Sequence, residues 1–169
     1  MVASLENTTN RVSYFSVGNT DMAYTDTNSG TSRAFTSLEG TQTYVMVPGY
    51  GTEEDLAQVD VQGRIAVIRR GELDFATKQT NAHSAGAIGC VIYDNVEGDL
   101  INIQDAGLLP NVFVSKASGE VMAAQATDGV GQMHIHGDNK LLDTPNATGG
   151  QLSDFPAGVL LRICSWSPM

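Results

Sequence analysis

Between Gly63 and Asn95 the chain reads GRIAVIRRGELDFATKQTNAHSAGAIGCVIYDN, two apolar runs flanking a segment of helical character. This stretch constrains the fold more than any other. Arg64–Arg69 (RIAVIR) is short, rich in β-branched residues and preceded by Gly63, which predicts a strand buried on both faces. Asp74–Ala85 (DFATKQTNAHSA) follows, with Asp74 suited to cap a helix and Gly86 suited to stop it. Phe75, Gln79, Ala82 and Ala85 or Gly86 share one face at helical spacing, and that face is small enough to lie close on a sheet. Ala87–Tyr93 (AIGCVIY) is a second buried strand, closed by the Asp94–Asn95 turn. Strand, helix, strand in so short a span predicts a βαβ unit with a right-handed crossover.

The rest of the chain adds strands more than helices. The first 40 residues are rich in Thr, Ser, Asn and Gly, with alternating pieces such as Val12–Val17. Tyr44–Pro48 is a strand ended by Pro48–Gly49, and Glu53–Gln58 makes one helical turn with its acids at the N-terminal end. Asn111–Val114 is a strand, Ser115 caps a helix over Ala117–Gln125, and Gln132–His136 is a strand after a Gly-rich turn. The expected class is α+β: many short strands flanked by two short helices.

Nineteen acidic against nine basic side chains give a formal charge of −10, a surface that repels nucleic acid and anionic membranes. No run approaches the length of about 20 apolar residues that spans a bilayer, so membrane insertion is not expected. The start lacks the basic and apolar regions of a signal peptide, so either the protein is cytosolic or a secretory signal was removed or lies on an upstream segment, the last being what an extracellular assignment requires. Cys90 sits in an apolar run and reads as a small buried hydrophobe, while Cys164 lies near the C-terminus; a disulfide between them stays open.

Motifs for chemistry are sparse. His134 and His136 form an H-x-H pair that places both imidazoles on one strand face, with Asp138 nearby. They are the candidate metal ligands, against a solvated strand face as the alternative, since spacing identifies no third ligand. His83 has no visible partner. Arg69–Arg70 before Gly71 could receive a carboxylate or acidic peptide. Neither a dinucleotide fingerprint nor a phosphate loop occurs, nor G-x-S-x-G or H-E-x-x-H, so no cofactor is expected.

The Gly63–Asn95 segment closely resembles the core signature of protease-associated (PA) domains: a strand, an Arg-Gly turn, a Phe-led helix, Ala-Gly-Ala and a strand ending in Tyr-Asp. LPNVFVSKASGEVM, from Leu109 to Met122, resembles the second half of that signature, and together the two pieces and their loop span roughly a third of the chain. The resemblance implies the swivelling β/β/α architecture. Its signature positions fall here on Gly63, Gly71, Phe75, Ala85, Gly86, Gly89 and Tyr93. Val2–Thr8 looks like the exit from a subtilisin-like catalytic core, and Gly149–Phe155 like the re-entry into it, an arrangement similar to cell-envelope proteinases of the lactocepin type. In those, the nucleophile follows the insert in a Gly-Thr-Ser motif. Here Gly30–Thr31–Ser32 lies upstream of the signature, so the nucleophile is missing. Codons for Pro156–Met169 read one register over can encode SWGVAPDLQLEPD, the continuation expected of such a core, which marks this tail as a frameshift product or, alternatively, a divergent terminal strand.

The expected organisation is therefore an N-terminal flank (1–34), a PA core (35–130), a return strand and re-entry (131–155) and a non-native tail (156–169). The resemblance implies a non-catalytic module of an extracellular or cell-envelope proteinase, controlling substrate access or binding polypeptide. The alternatives are a fragment carrying the endopeptidase label of its parent and a stand-alone extracellular binding protein. Its partners would be a polypeptide substrate or the parent's catalytic domain, with self-association through exposed strand edges. Candidate peptide-binding residues are Arg69, Arg70, Gly71, Asp94, Asn95, Leu109 and Pro110.

Overall fold

The computed structural model describes residues 8–26 and 33–144. The flank before Thr8, Gly30–Thr31–Ser32, Gly149–Phe155, Cys164 and the Pro156–Met169 tail lie outside the described residues.

In chain order the elements are β1 (Thr8–Val17), β2 (Thr20–Ala23), a 3-10 helix (Phe35–Leu38), β3 (Gly40–Met46), α1 (Glu53–Ala57), β4 (Ile65–Arg69), α2 (Phe75–Ser84), β5 (Gly89–Tyr93), β6 (Asn111–Val114), α3 (Lys116–Gln125) and β7 (Val130–Thr144). Among the described residues, seven strands form one mixed sheet in the order β2-β1-β7-β3-β4-β5-β6. β3 to β6 run parallel, while β7 is antiparallel to both β3 and β1, and β1 is antiparallel to β2. The two outer strands approach each other, because Thr25, just past β2, bridges Phe113 of β6. This bends the sheet into a nearly closed barrel. The class is α+β, with three α-helices among the described residues, the expected single turn at Glu53 and the two expected longer helices.

The apolar runs explain which strands lie at the centre. On β4, Ile65 and Val67 face one hydrophobic cluster while Ala66 and Ile68 face another; on β5, Val91 opposes Cys90 and Ile92 in the same way. A strand covered on both sides has no polar face to alternate with, hence the unbroken sequence. One cluster fills the barrel with Phe15, Phe35, Tyr44, Ile135 and Met122 of α3. The other lies beneath α1 and α2 and the loop before β6, around Leu56, Ala82, Ile103 and Phe113. β1 and β7 do alternate: Phe15, Val17, Met133 and Ile135 point inward, while Ser16, His134 and His136 point outward.

The helix ends follow the sequence. Asp74 accepts from the Thr77 amide and Ser115 from the Ser118 amide, capping α2 and α3. α1 begins with a reciprocal capping box between Thr52 and Asp55. One expectation is corrected. Phe15, Val17, Met22 and Tyr24 of the N-terminal segment and Met133 and Ile135 of β7 share the barrel core, so the compact unit is wider than 35–130. β1, β2 and β7 supply the wall that the parallel strands alone lack. Cys90 is a buried free thiol, its pKa pushed up to about 12 by burial.

Candidate functional site

The carboxyl ends of β4, β5 and β6 form one rim, since Arg69 pairs with Tyr93 and Tyr93 with Val114. Loops leaving the ends of parallel strands are where such sheets usually present ligand-binding groups. Here they bring Arg69–Gly71, Asp94–Asn95, Tyr50 and Lys116 to one end of the molecule.

Lys78 bolts this rim together from below. Its side chain is fully buried, and Nζ donates to the carbonyls of Tyr50 (2.6 Å) and Gly71 (2.7 Å). The ammonium also lies 5.4 Å from the centre of the Tyr50 ring, while the Arg69 guanidinium sits 5.7 Å from it. Burial pulls the Lys78 pKa down to about 8, against the opposing influence of the Asp55, Glu72 and Asp74 carboxylates. Asp55 Oδ2 fixes the same loop by accepting from the amides of Tyr50, Gly51 and Thr52, at 3.0, 3.1 and 3.1 Å. Those amide bonds, Thr52 foremost, hold the Asp55 carboxyl below the usual range. Asn81 Nδ2 adds a bond to the Gly51 carbonyl at 2.9 Å.

The second strap is Asp94. It is buried, accepts from Arg70 Nη1 at 3.0 Å and from the Asn95 amide at 2.8 Å, and so ties the β4 turn to the β5 turn. Arg70 also rests over Phe75, 5.7 Å from the ring centre. Gly71 cannot be replaced without disturbance: its φ is +129°, and a Cβ there would lie 2.8 Å from Tyr50 Cε1. Between them these contacts leave Arg69 and Val96 exposed on a fixed frame. Among the described residues, the Arg69 guanidinium has no ion-pair partner.

The chain belongs to the PA domain family, whose pattern matches residues 20–122.

Within this PA domain the candidate binding residues divide. Arg69, Arg70, Gly71, Asp94 and Asn95 meet at the rim. Leu109 and Pro110 do not: both are buried, and the Pro110 carbonyl accepts from the Cys90 amide at the amino end of β6. They pack the sheet's far end, so their candidacy for peptide contact is withdrawn. Of the signature positions, Phe75 meets Phe113 edge to face and Tyr93 ends β5 beside Gly119. Lys78 and Tyr50 escaped the sequence reading, which marks Asp55 only as one of the acids at the start of a helical turn. Thr52-x-x-Asp55 was a legible cap, and Lys78 occupies the apolar face of α2 between Phe75 and Ala82.

His134 and His136 lie away from the rim, near the amino end of β3, where Thr41 pairs with His134. His136 Nε2 is 2.9 Å from Ser16 Oγ, which donates to Asp21 Oδ1 at 2.7 Å. This is not a Ser-His-Asp catalytic arrangement, in which the carboxylate must orient the imidazole so that it can take the serine proton. Here the carboxylate accepts the serine hydrogen bond itself. Among the described residues, no three His, Cys, Asp or Glu side chains converge as a metal site, and no helix is long and apolar enough to cross a membrane.

The PA domain is 37% identical over 106 residues to a C5a peptidase of Streptococcus pyogenes, covering 62% of this chain and 9% of that protein. It is 29% identical over 119 residues to the minor extracellular protease Vpr of Bacillus subtilis, covering 70% of this chain and 14% of that protein. A zinc aminopeptidase of Bacillus subtilis, BSAP, shares its fold with a TM-score of 0.62 and 22% identity, over 82% of this chain and 33% of that one. The chain thus spans about a tenth of the length of the curated relatives it matches.

Proposed function

We propose that this PA domain is the non-catalytic accessory module of an extracellular or cell-envelope subtilisin-like serine proteinase, and that its rim contacts extended polypeptide on the way to the host's cleft. The observation that carries this reading is the Lys78 clamp: a buried ammonium holds the Tyr50 and Gly71 carbonyls, so two surface loops behave as one rigid ledge. A rigid ledge loses little conformational entropy when a flexible chain settles on it. Arg69, which has no ion-pair partner among the described residues, suits an acidic or carbonyl-rich segment in a chain with a formal charge of −10, and exposed Val96 offers an adjacent apolar contact. Relatives named as a peptidase and as an extracellular protease support the host's class and location. The subtilisin-like character of the host rests on the resemblance of the flanks.

Fluorescence anisotropy of labelled, unfolded casein against the full chain tests this reading. Binding without cleavage is expected, weakened several-fold by Arg69→Glu. Cleavage by the purified chain, or binding indifferent to Arg69→Glu, contradicts it.

A further inference from the structure

The outward face of β1, β2 and β7 carries a bonded set of side chains that the rim does not use. Ser16 Oγ has a single proton, and its 2.7 Å bond to the Asp21 carboxylate consumes it. The 2.9 Å contact between Ser16 Oγ and His136 Nε2 therefore has the imidazole as donor. His136 is held as the Nε2–H tautomer, with its Nδ1 lone pair unused. Tyr14 stacks on the same ring, centroids 4.2 Å apart and planes 12° from parallel, so the ring is fixed in plane as well as in rotation.

His134 stands two residues earlier on the same face of β7, its ring centroid 4.6 Å from that of His136 and tilted by 62°. His134 is exposed, and its Nδ1 lies 3.4 Å from Thr41 Oγ1, which leaves Nε2 open to solvent. Two imidazoles at this separation, each with one nitrogen free, can bracket a single ion. Bonds of 2.0–2.1 Å to a tetrahedral centre need donor nitrogens about 3.3 Å apart, the spacing that the two rings would adopt around one ion.

We propose that His134 and His136 form a two-nitrogen chelate for a divalent transition-metal ion of the zinc, copper or nickel class, with Ser16 and Asp21 as the positioning pair behind His136. Imidazole nitrogen selects these ions over calcium or magnesium, which prefer oxygen. A carboxylate acting on a ligand imidazole through hydrogen bonds orients it and raises its basicity. The surrounding charge is mixed. Lys140 pairs with Asp21 and lies 5.5 Å from the centre of the Tyr14 ring, which opposes a cation. Glu39, whose carboxylate accepts from the Gly137 amide at 3.1 Å, favours one. With solvent completing the coordination, the ion is held reversibly rather than as part of the fold.

Calorimetric titration of the full, untagged chain with zinc ion alone decides the matter. One ion per chain is expected, with binding lost in His134→Gln and in His136→Gln. Ser16→Ala keeps both histidines and is expected to weaken binding roughly ten-fold. His134 is exposed, so His134→Gln should keep the wild-type unfolding midpoint. Absence of binding at millimolar zinc, or unchanged affinity in a folded His134→Gln protein, overturns the chelate. Unchanged affinity in Ser16→Ala overturns the positioning role.

Discussion

Thr25 and Phe113 exchange two backbone hydrogen bonds, each 3.0 Å long, and so join the chain after β2 to β6 across the gap between the sheet's two edges. The Thr25 hydroxyl adds a 2.6 Å bond to the Ile101 carbonyl, fastening the loop before β6 to the same seam. Closure of this kind removes an exposed edge that would otherwise invite pairing with other chains.

Thr25→Pro removes the amide of this bridge and is expected to cost about 3 kcal/mol in urea denaturation. Thr25→Val keeps the backbone pair and loses only the hydroxyl bond, for about 1 kcal/mol. Equal costs for the two variants would mean that the seam contributes little.

Lys78 gives the molecule a pH signature. Its folded pKa of about 8 lies below its ordinary 10.5, so between these values the unfolded chain binds more protons than the folded one. The burial cost is complete below pH 8 and is relieved as pH rises towards 10.5, a change of the order of 3 kcal/mol. Lys78→Met should lack this rise. The difference in unfolding free energy between wild type and variant, followed across that window, isolates the Lys78 contribution from those of the other groups. Parallel curves would show that burial does not lower the Lys78 pKa.

Gly119 reverses an ordinary rule. Alanine in place of glycine inside a helix normally stabilises by about 1 kcal/mol. Here a Cβ would fall 2.3 Å from the Tyr93 ring, so Gly119→Ala is expected to destabilise by about 1–3 kcal/mol in the same denaturation assay. Adding Tyr93→Leu should recover part of the loss; strict additivity would deny the contact.

The parts of the fold legible in the sequence are those governed by local chemistry. Asp74 and Ser115 cap helices because their side chains reach amides three residues on, and Ile65–Ile68 reads as a buried strand because both its faces are covered. What long-range packing decides stayed hidden. Nothing near Thr25 announces a partner 88 residues away, and β7 runs well past His136 only because β1 lies alongside to pair with it. At the rim, Arg69–Gly71 and Asp94 were visible as turn residues. Lys78 was not, since a lysine reads as a surface residue until two carbonyls converge on its ammonium. Leu109 and Pro110 looked like loop residues and proved to be packing.

The central claim, a non-catalytic domain that meets extended polypeptide at one rigid rim, is tested most directly by nuclear magnetic resonance. Unfolded casein would be titrated into the isotopically labelled chain while backbone amides are followed. Shifts confined to Tyr50, Arg69–Gly71, Asn95–Val96 and Lys116, with the casein intact afterwards, are the predicted result. Shifts centred on β1 and β7, or no shifts at all, would contradict the account.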